Sequence, residues 1–272
     1  RSDVKLRDNK RKGQKTLENG GSVTTRLDEP QKVKKSKSKS QSKKVKVKKS
    51  VWTTKENPEP KYPICVLCYD RANKYGRTHL ILTEMKIHHY LFVEPSQEQQ
   101  YREWIMTLIE DEEKEWYNPE YSKIIVYPDN FRGWGTMGGT PGRNFILDWG
   151  LKEGHERVWM LDDNIKEYNR LYHGKKTTIM SSVIFTHIED YICRYDNVGS
   201  VGHNYNPLVR EGDFRTCIVK NNKNYSSMCL PTNPEIRFRY KHQEDNLISI
   251  EFIEKGYCNL CFNSVVYDKK SQ

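Results

Sequence analysis

Apolar and polar positions follow two rhythms along the chain. Short, near-continuous apolar runs bounded by turn residues read as strands buried on both faces. Such runs are Tyr62–Tyr69, His89–Val93, Lys123–Tyr127 and Arg157–Leu161. Between them the spacing is helical: from a Thr78 cap to about Lys86, over Gln97–Trp116 as an exposed amphipathic helix, and over Asn144–Gly150. Asp70–Asn73 reads as a polar loop after the first strand, and Phe131–Gly142 as a Gly-rich loop. Strand alternating with helix predicts an α/β domain with a parallel sheet and crossover helices.

The second half is less regular. Ser181–Arg194 reads as a helix, and Val198–Val209 has strand character. Strands over Arg215–Lys220 and Tyr225–Leu230 flank Asn221-Asn222-Lys223-Asn224, a turn composition. A helix then runs from about Gln243 to Lys255, with Gly256 as its C-cap, and a strand over Tyr257–Tyr267 closes the domain. No internal repeat is visible.

Charge changes the picture at one end. The 272 residues carry a net charge of +10. Residues 1–50 hold 18 Lys/Arg against 5 Asp/Glu, whereas the remainder holds 28 against 31. The basic character therefore belongs to a tail, taken as residues 1–57, and not to the body at 58–270. Lys32–Lys49 is almost wholly Lys, Ser, Gln and Val, too polar to offset its ordering entropy, so it is expected to be disordered. Such a run neutralises phosphates without reading sequence, which makes DNA the natural partner; a nuclear localisation signal or a solubilising tail has the same composition. No apolar stretch approaches a membrane span and no signal-peptide pattern is seen, so an intracellular location is expected, in a host cytoplasm or a nucleus. The seven cysteines are expected to be reduced. Cys65/Cys68 and Cys258/Cys261 have zinc-like spacing, but each pair lies in a strand-like run, where residues three apart point to opposite faces. They are expected to be core residues.

Three constellations carry chemistry. Val158-Trp159-Met160-Leu161 ends in Asp162-Asp163-Asn164, placing three polar side chains where a strand of an α/β sheet meets its ligand crevice. Adjacent carboxylates need a compensating partner, and oxygen ligands of this kind suit Mg²⁺ or Mn²⁺ on a diphosphate; a helix N-cap is the rival reading. Gly138-Gly139-Thr140-Pro141-Gly142-Arg143-Asn144 offers backbone N–H groups and a guanidinium fork to phosphate, without matching a kinase or dehydrogenase fingerprint. Glu244-Asp245 offers a general base for an acceptor hydroxyl, or simply acids at a helix start. Arg237, Arg239, Lys241 and His242, directly before it, suit a phosphate of the donor or of a nucleic-acid backbone, or an ordinary solvated edge.

The order of first strand, Arg-Asn helix, strand ending Asp-Asp-Asn and late Glu-Asp helix resembles the A-type glycosyltransferase fold, a Rossmann-like sheet with flanking helices. More narrowly, Trp159–Ile165, Gly202-His203-Asn204-Tyr205, Asn224–Cys229, Phe238-Arg239-Tyr240, Glu244-Asp245 and Gly256-Tyr257-Cys258 resemble the TET-associated glycosyltransferases, across roughly residues 60–268. Members of that family occur mainly in phages and large viruses, with eukaryotic relatives. The resemblance implies sugar transfer from a nucleotide donor, such as a UDP-sugar, to a hydroxymethylated pyrimidine in DNA. It implies a donor-binding half at 58–165 and an acceptor half at 166–270.

Carried over, Asp162, Asp163 and Asn164 would meet a Mn²⁺ or Mg²⁺ ion and the donor. Arg143, Asn144 and Gly139 would sit by the donor, with Arg71 and Glu94 near its base. Asp245 would be the general base and Glu244 its positioning partner. His203, Tyr205, Arg237, Arg239 and His242 would face the acceptor or its phosphates, and Trp134, Tyr205 and Tyr240 are stacking candidates for a flipped base. One departure stands out: Asn246-Leu247 follow Glu244-Asp245 where the family continues Thr-Asp; Asp-Asp-Asn also stands in place of the usual Asp-x-Asp, a change that the family shares. A different acceptor (protein, glycan or small molecule) and a non-catalytic nucleic-acid-binding protein on a degenerate transferase fold are the rival readings.

Overall fold

In a computed structural model of the protein, the residues described are 51–52, 57–72, 76–131, 138–212 and 216–270. The Lys-rich tail, Asn73, Trp134 and Arg215 lie outside them. Eleven strands among the described residues share one sheet. In chain order they are β1 (Val51–Trp52), β2 (Ile64–Leu67), β3 (His89–Val93), β4 (Ser122–Val126), β5 (Arg157–Asp162) and β6 (Ile165–Tyr172), followed by β7 (Lys175–Ile179), β8 (Val198–Tyr205), β9 (Ile218–Lys220), β10 (Ser227–Pro231) and β11 (Cys258–Lys269). The helices are α1 (Arg77–Glu84), α2 (Glu98–Ile109), α3 (Thr140–Lys152), α4 (Val183–Ile192) and α5 (Glu244–Glu254).

The predicted parallel half is present. β5, β2, β3 and β4 pair side by side and parallel, with Leu67 opposite Asp162. The strand bounds follow the apolar runs because each run alternates between two cores. Ile64, Val66, Leu91, Val93, Trp159 and Leu161 face one layer, with Leu82 of α1, Trp104 of α2 and Phe185 of α4. Cys65, Leu67, Phe92, Val158 and Met160 face the other, with Ile146 of α3 and Phe252 of α5. The result is a helix–sheet–helix sandwich. Cys65 and Cys68 fall in opposite cores, and all four Cys-x-x-Cys side chains are buried and outside any disulfide, as the strand reading expects.

The other half is mixed. β10 runs antiparallel between β5 and β8, and β11 pairs parallel with β8 but antiparallel with β6 and β9. The β6–β7 hairpin was not marked by the apolar pattern. It turns at His173 and Gly174, both with positive φ (47° and 69°), the geometry of a tight hairpin loop.

Several boundaries differ from expectation for local reasons. Thr78 lies inside α1 and does not cap it; Gly76 holds the N-cap position. α2 stops at Ile109, because Asp111 accepts from the Glu113 amide and starts a short 3₁₀ turn. α3 begins four residues early, at Thr140, with Pro141 in its first turn, where its missing N–H costs nothing. β8 ends at Tyr205, before a 3₁₀ turn over Asn206–Leu208 that contains Pro207. Gly256, at φ 84°, ends α5 as expected. No helix among the described residues is long and apolar enough to cross a membrane.

Candidate functional site

β5 delivers Asp162 to the carboxyl edge of the sheet, and Asp163-Asn164 turn the chain into β6. Thr78 fixes that turn from α1. Its hydroxyl donates to the Asp162 carbonyl (2.6 Å) and accepts from the Ile165 amide (2.9 Å), and its own N–H reaches the Asp163 carbonyl (3.2 Å). β10 is antiparallel to β5, so its start lies at the same edge. The Asp162 amide donates to Ser226 there (2.9 Å). β11 runs parallel to β8, so its end arrives at that edge too, and an irregularity between Asp268 and Lys269 shifts its register against β6.

These ends surround a cleft of about 440 Å³ lined by Arg71, Gly139, Arg143, Asp162–Asn164, Glu244, Asp245 and Lys269, with Leu67, Tyr69, Tyr225 and Ser226. Arg143, in the first turns of α3 and only 5 % exposed, is its electrostatic centre. Its Nη2 lies 3.2 Å from Asp162 Oδ1 and 3.7 Å from Asp245 Oδ1, and its Nε 3.7 Å from Glu244 Oε1. The guanidinium also sits over the Phe238 ring, 5.5 Å from its centroid. Glu244 and Asp245 open α5, directly after Gln243, a non-glycine residue at φ 58°. That left-handed residue is strained backbone of the kind found at functional sites.

The carboxylates are not equivalent. Burial disfavours the charge on Asp162, but Lys269 Nζ, 2.6 Å from its Oδ2, and Arg143 hold its pKa far below the ordinary carboxylate range. Burial pushes Asp245 up to about 6, helped by the charges of Asp162 and Glu244 and opposed by Arg143. Burial likewise raises Asp163 to about 6, against the pull of Arg71. Asp245 Oδ1, Arg143 Nη1 and Asn164 Oδ1 are buried without a hydrogen-bond partner, an arrangement that leaves polar atoms for a ligand.

The Asp-Asp-Asn turn leaves few oxygens free for a divalent metal. Hard cations need oxygens free to coordinate. Asp162 spends one oxygen on Arg143 and the other on Lys269. Asp163 spends one on Arg71 and the other on the Tyr69 amide (3.1 Å). Asn164 donates its side-chain N–H to the Lys270 carbonyl (3.4 Å). Among the described residues, no three His, Cys, Asp or Glu side chains gather to hold a metal ion. The turn thus holds its two carboxylates in a carboxylate–cation network, and of its side-chain oxygens Asn164 Oδ1 is left without a hydrogen-bond partner.

Other expected site residues lie outside the cleft lining. The Asn144 amide is committed to Phe238, accepting from its N–H (2.9 Å) and donating to its carbonyl (2.8 Å), so it braces the site from behind. His203 is a core residue: 1 % exposed, stacked on Trp159, and bonded to Ser227 Oγ and the Ile184 carbonyl (both 2.8 Å). Burial lowers its pKa to about 3, so it stays neutral. Tyr205 packs on Tyr267 one layer behind the cleft. Glu94 sits at the end of β3, outside the cleft lining. Arg237 bonds to Asp148 (2.6 Å) and to backbone carbonyls of its own loop. Arg239 pairs with Glu251 (3.0 Å) in a separate groove beside α5, with exposed Tyr240; His242 is exposed on the adjoining loop.

Lys269, Tyr69, Tyr225 and Ser226 line the cleft without having been singled out as site residues. Lys269 lies in Asp268-Lys269-Lys270, a charged run that reads as solvated chain; only its strand register exposes its role.

No curated protein matches the chain. Among solved structures, a CMP:2-keto-3-deoxy-manno-octonic acid synthetase complexed with CTP is similar at 8 % identity and a TM-score of 0.40, covering 74 % of this chain and 89 % of that one. A model of the TET-Associated Glycosyltransferase family matches residues 62–272, a span that takes in every segment bordering the cleft, and the chain belongs to that family of glycosyltransferases.

Proposed function

We propose that this glycosyltransferase moves a sugar from a nucleotide-sugar donor, such as a UDP-sugar, to the hydroxyl of a hydroxymethylated pyrimidine in DNA. The observation that carries the reading is the opposition, across Arg143, of two kinds of carboxylate. Asp162 stays ionised among cations, whereas Asp245 is buried, has no hydrogen bond at Oδ1 and is pushed up to about 6. A base of that strength can take a proton near neutral pH, while a firmly ionised group organises cations around a leaving diphosphate.

In this reading Asp245 accepts the proton of the acceptor hydroxyl as its oxygen attacks the anomeric carbon. The bond from that carbon to the donor phosphate oxygen breaks, and the electron pair leaves with the nucleoside diphosphate. Arg143 faces both partners: it restrains Asp245 and Glu244 on one side and meets the diphosphate charge on the other. Gly139, at the start of α3, lets backbone approach the phosphates.

Support for a DNA acceptor comes from charge. The tail carries a net +13, and Lys241 and His242 are exposed beside Tyr240 on the loop that leads into Glu244-Asp245. A pyrimidine within a duplex must be flipped out or presented in a single strand to reach the cleft.

The test is incubation of wild type and Asp245→Asn with nucleotide sugars, Mg²⁺ and Mn²⁺, and DNA containing hydroxymethylcytosine or hydroxymethyluracil, followed by mass spectrometry of the nucleosides. A hexose added by wild type alone supports the reading. Donor turnover with the sugar found only on protein, glycan or small-molecule acceptors would move the acceptor elsewhere. Absence of any donor binding would favour the non-catalytic alternative.

A further inference from the structure

The cleft holds three side-chain cations on the two carboxylates expected to bind a metal. Lys269 Nζ lies 2.6 Å from Asp162 Oδ2, Arg143 Nη2 lies 3.2 Å from Asp162 Oδ1, and Arg71 Nη1 pairs with Asp163 Oδ1. Their three segments are far apart in sequence, and all three side chains border the same cavity. A divalent ion on either carboxylate would compete with at least one of these cations and would face three positive charges at close range. Arg143 keeps a buried Nη1 without a partner, so its guanidinium has donor capacity beyond its carboxylate contacts.

We propose that Lys269, with Arg143 and Arg71, takes the place of a divalent metal at the donor diphosphate, and that Asp162 and Asp163 hold these cations in position instead of coordinating an ion. The inference rests on the reading of this cleft as the nucleotide-sugar site. Guanidinium forks bind phosphate oxygens in pairs, and an ammonium supplies a compact charge, so the three side chains suit the two phosphates of a nucleoside diphosphate. Lys269 is the specific contributor: it is delivered by the end of β11 and held by Asp162.

The experiment is calorimetric titration of the full chain with UDP, GDP, ADP, CDP and dTDP, in EDTA and then in excess Mn²⁺ or Mg²⁺. Lys269→Met, Lys269→Arg and Arg71→Met are run alongside, each first checked for a native melting transition. The expected result is one nucleotide that binds equally with and without metal. Its affinity should fall by about tenfold to a hundredfold in Lys269→Met, with recovery in Lys269→Arg. Arg71→Met gives an independent reading should Lys269→Met fail to fold. Binding that requires a divalent ion, or that is unchanged in EDTA by loss of either cation, overturns the proposal and leaves the glycosyltransferase reading of the cleft intact. Binding of no nucleotide under any condition overturns both.

Discussion

The side-chain amide of Asn144 and the backbone of Phe238 clamp each other through two hydrogen bonds, of 2.9 and 2.8 Å. The clamp ties α3 to the loop that leads into Glu244-Asp245, and the Phe238 ring supports the Arg143 guanidinium. Asn144→Ala should leave both Phe238 groups unpaired, costing about 1–3 kcal/mol. The expected kinetic effect is a lower kcat with donor Kd nearly unchanged. Urea unfolding and donor calorimetry measure both; a weakened donor Kd with kcat intact would return Asn144 to the donor contacts.

Asp245 sets a pH signature. If it is the base, kcat/KM should fall about tenfold per unit below an apparent pKa near 6. Asp245→Asn should lose about 100-fold or more in rate while keeping donor binding. The same burial acts on stability. A carboxyl raised in the folded state holds a proton that the unfolded chain releases, so its contribution is complete below the ordinary carboxylate range and is lost as pH rises through about 6. Wild type should therefore lose stability relative to Asp245→Asn between about pH 4 and 6, measured as the difference in urea midpoints across that range.

His203 matches the family pattern in sequence yet acts in the core. Its ring fills space against Trp159, Tyr168 and Phe185. His203→Ala should cost about 3 kcal/mol or more, from the cavity and from the loss of two buried hydrogen bonds, to the Ser227 hydroxyl and the Ile184 carbonyl. Acceptor KM, assayed well below the melting temperature, should stay within about twofold. A large KM change in a stable variant would place His203 at the acceptor after all.

The tail gives a salt-dependent prediction. Deleting residues 1–50 removes a net +13 and should lower DNA affinity by about tenfold or more at low salt, with a shallower slope of log affinity on log salt. Fluorescence anisotropy against NaCl concentration reads both. An unchanged slope would remove the tail from DNA binding.

The parallel half was legible because burial on both faces writes continuous apolar runs into the chain, as at Val158–Leu161. Asp162, Arg143 and Asp245 were legible because polar clusters at strand or helix ends have few structural uses. Lys269 was not, since a lysine in a charged strand end looks solvated until the pairing of β11 turns it inward. His203 and Asn144 misled for a related reason. A polar side chain inside a matching motif gives no sign of whether its partners are ligand atoms or its own backbone. The β6–β7 hairpin escaped because its loop is His-Gly, a weaker signal than Asn-Gly, and its strands mix charges with apolar residues.

β11 is translated after every other strand of the sheet, yet it lies inside it, pairing with β6, β8 and β9. Until Cys258–Lys269 leave the ribosome, those three strands lack this shared partner, and the cleft lacks one wall. Folding of this enzyme is thus governed by contacts of long sequence separation, and a nascent chain carries open strand edges until β11 has emerged. A stop placed before β11 would release an aggregation-prone fragment instead of a weakened enzyme.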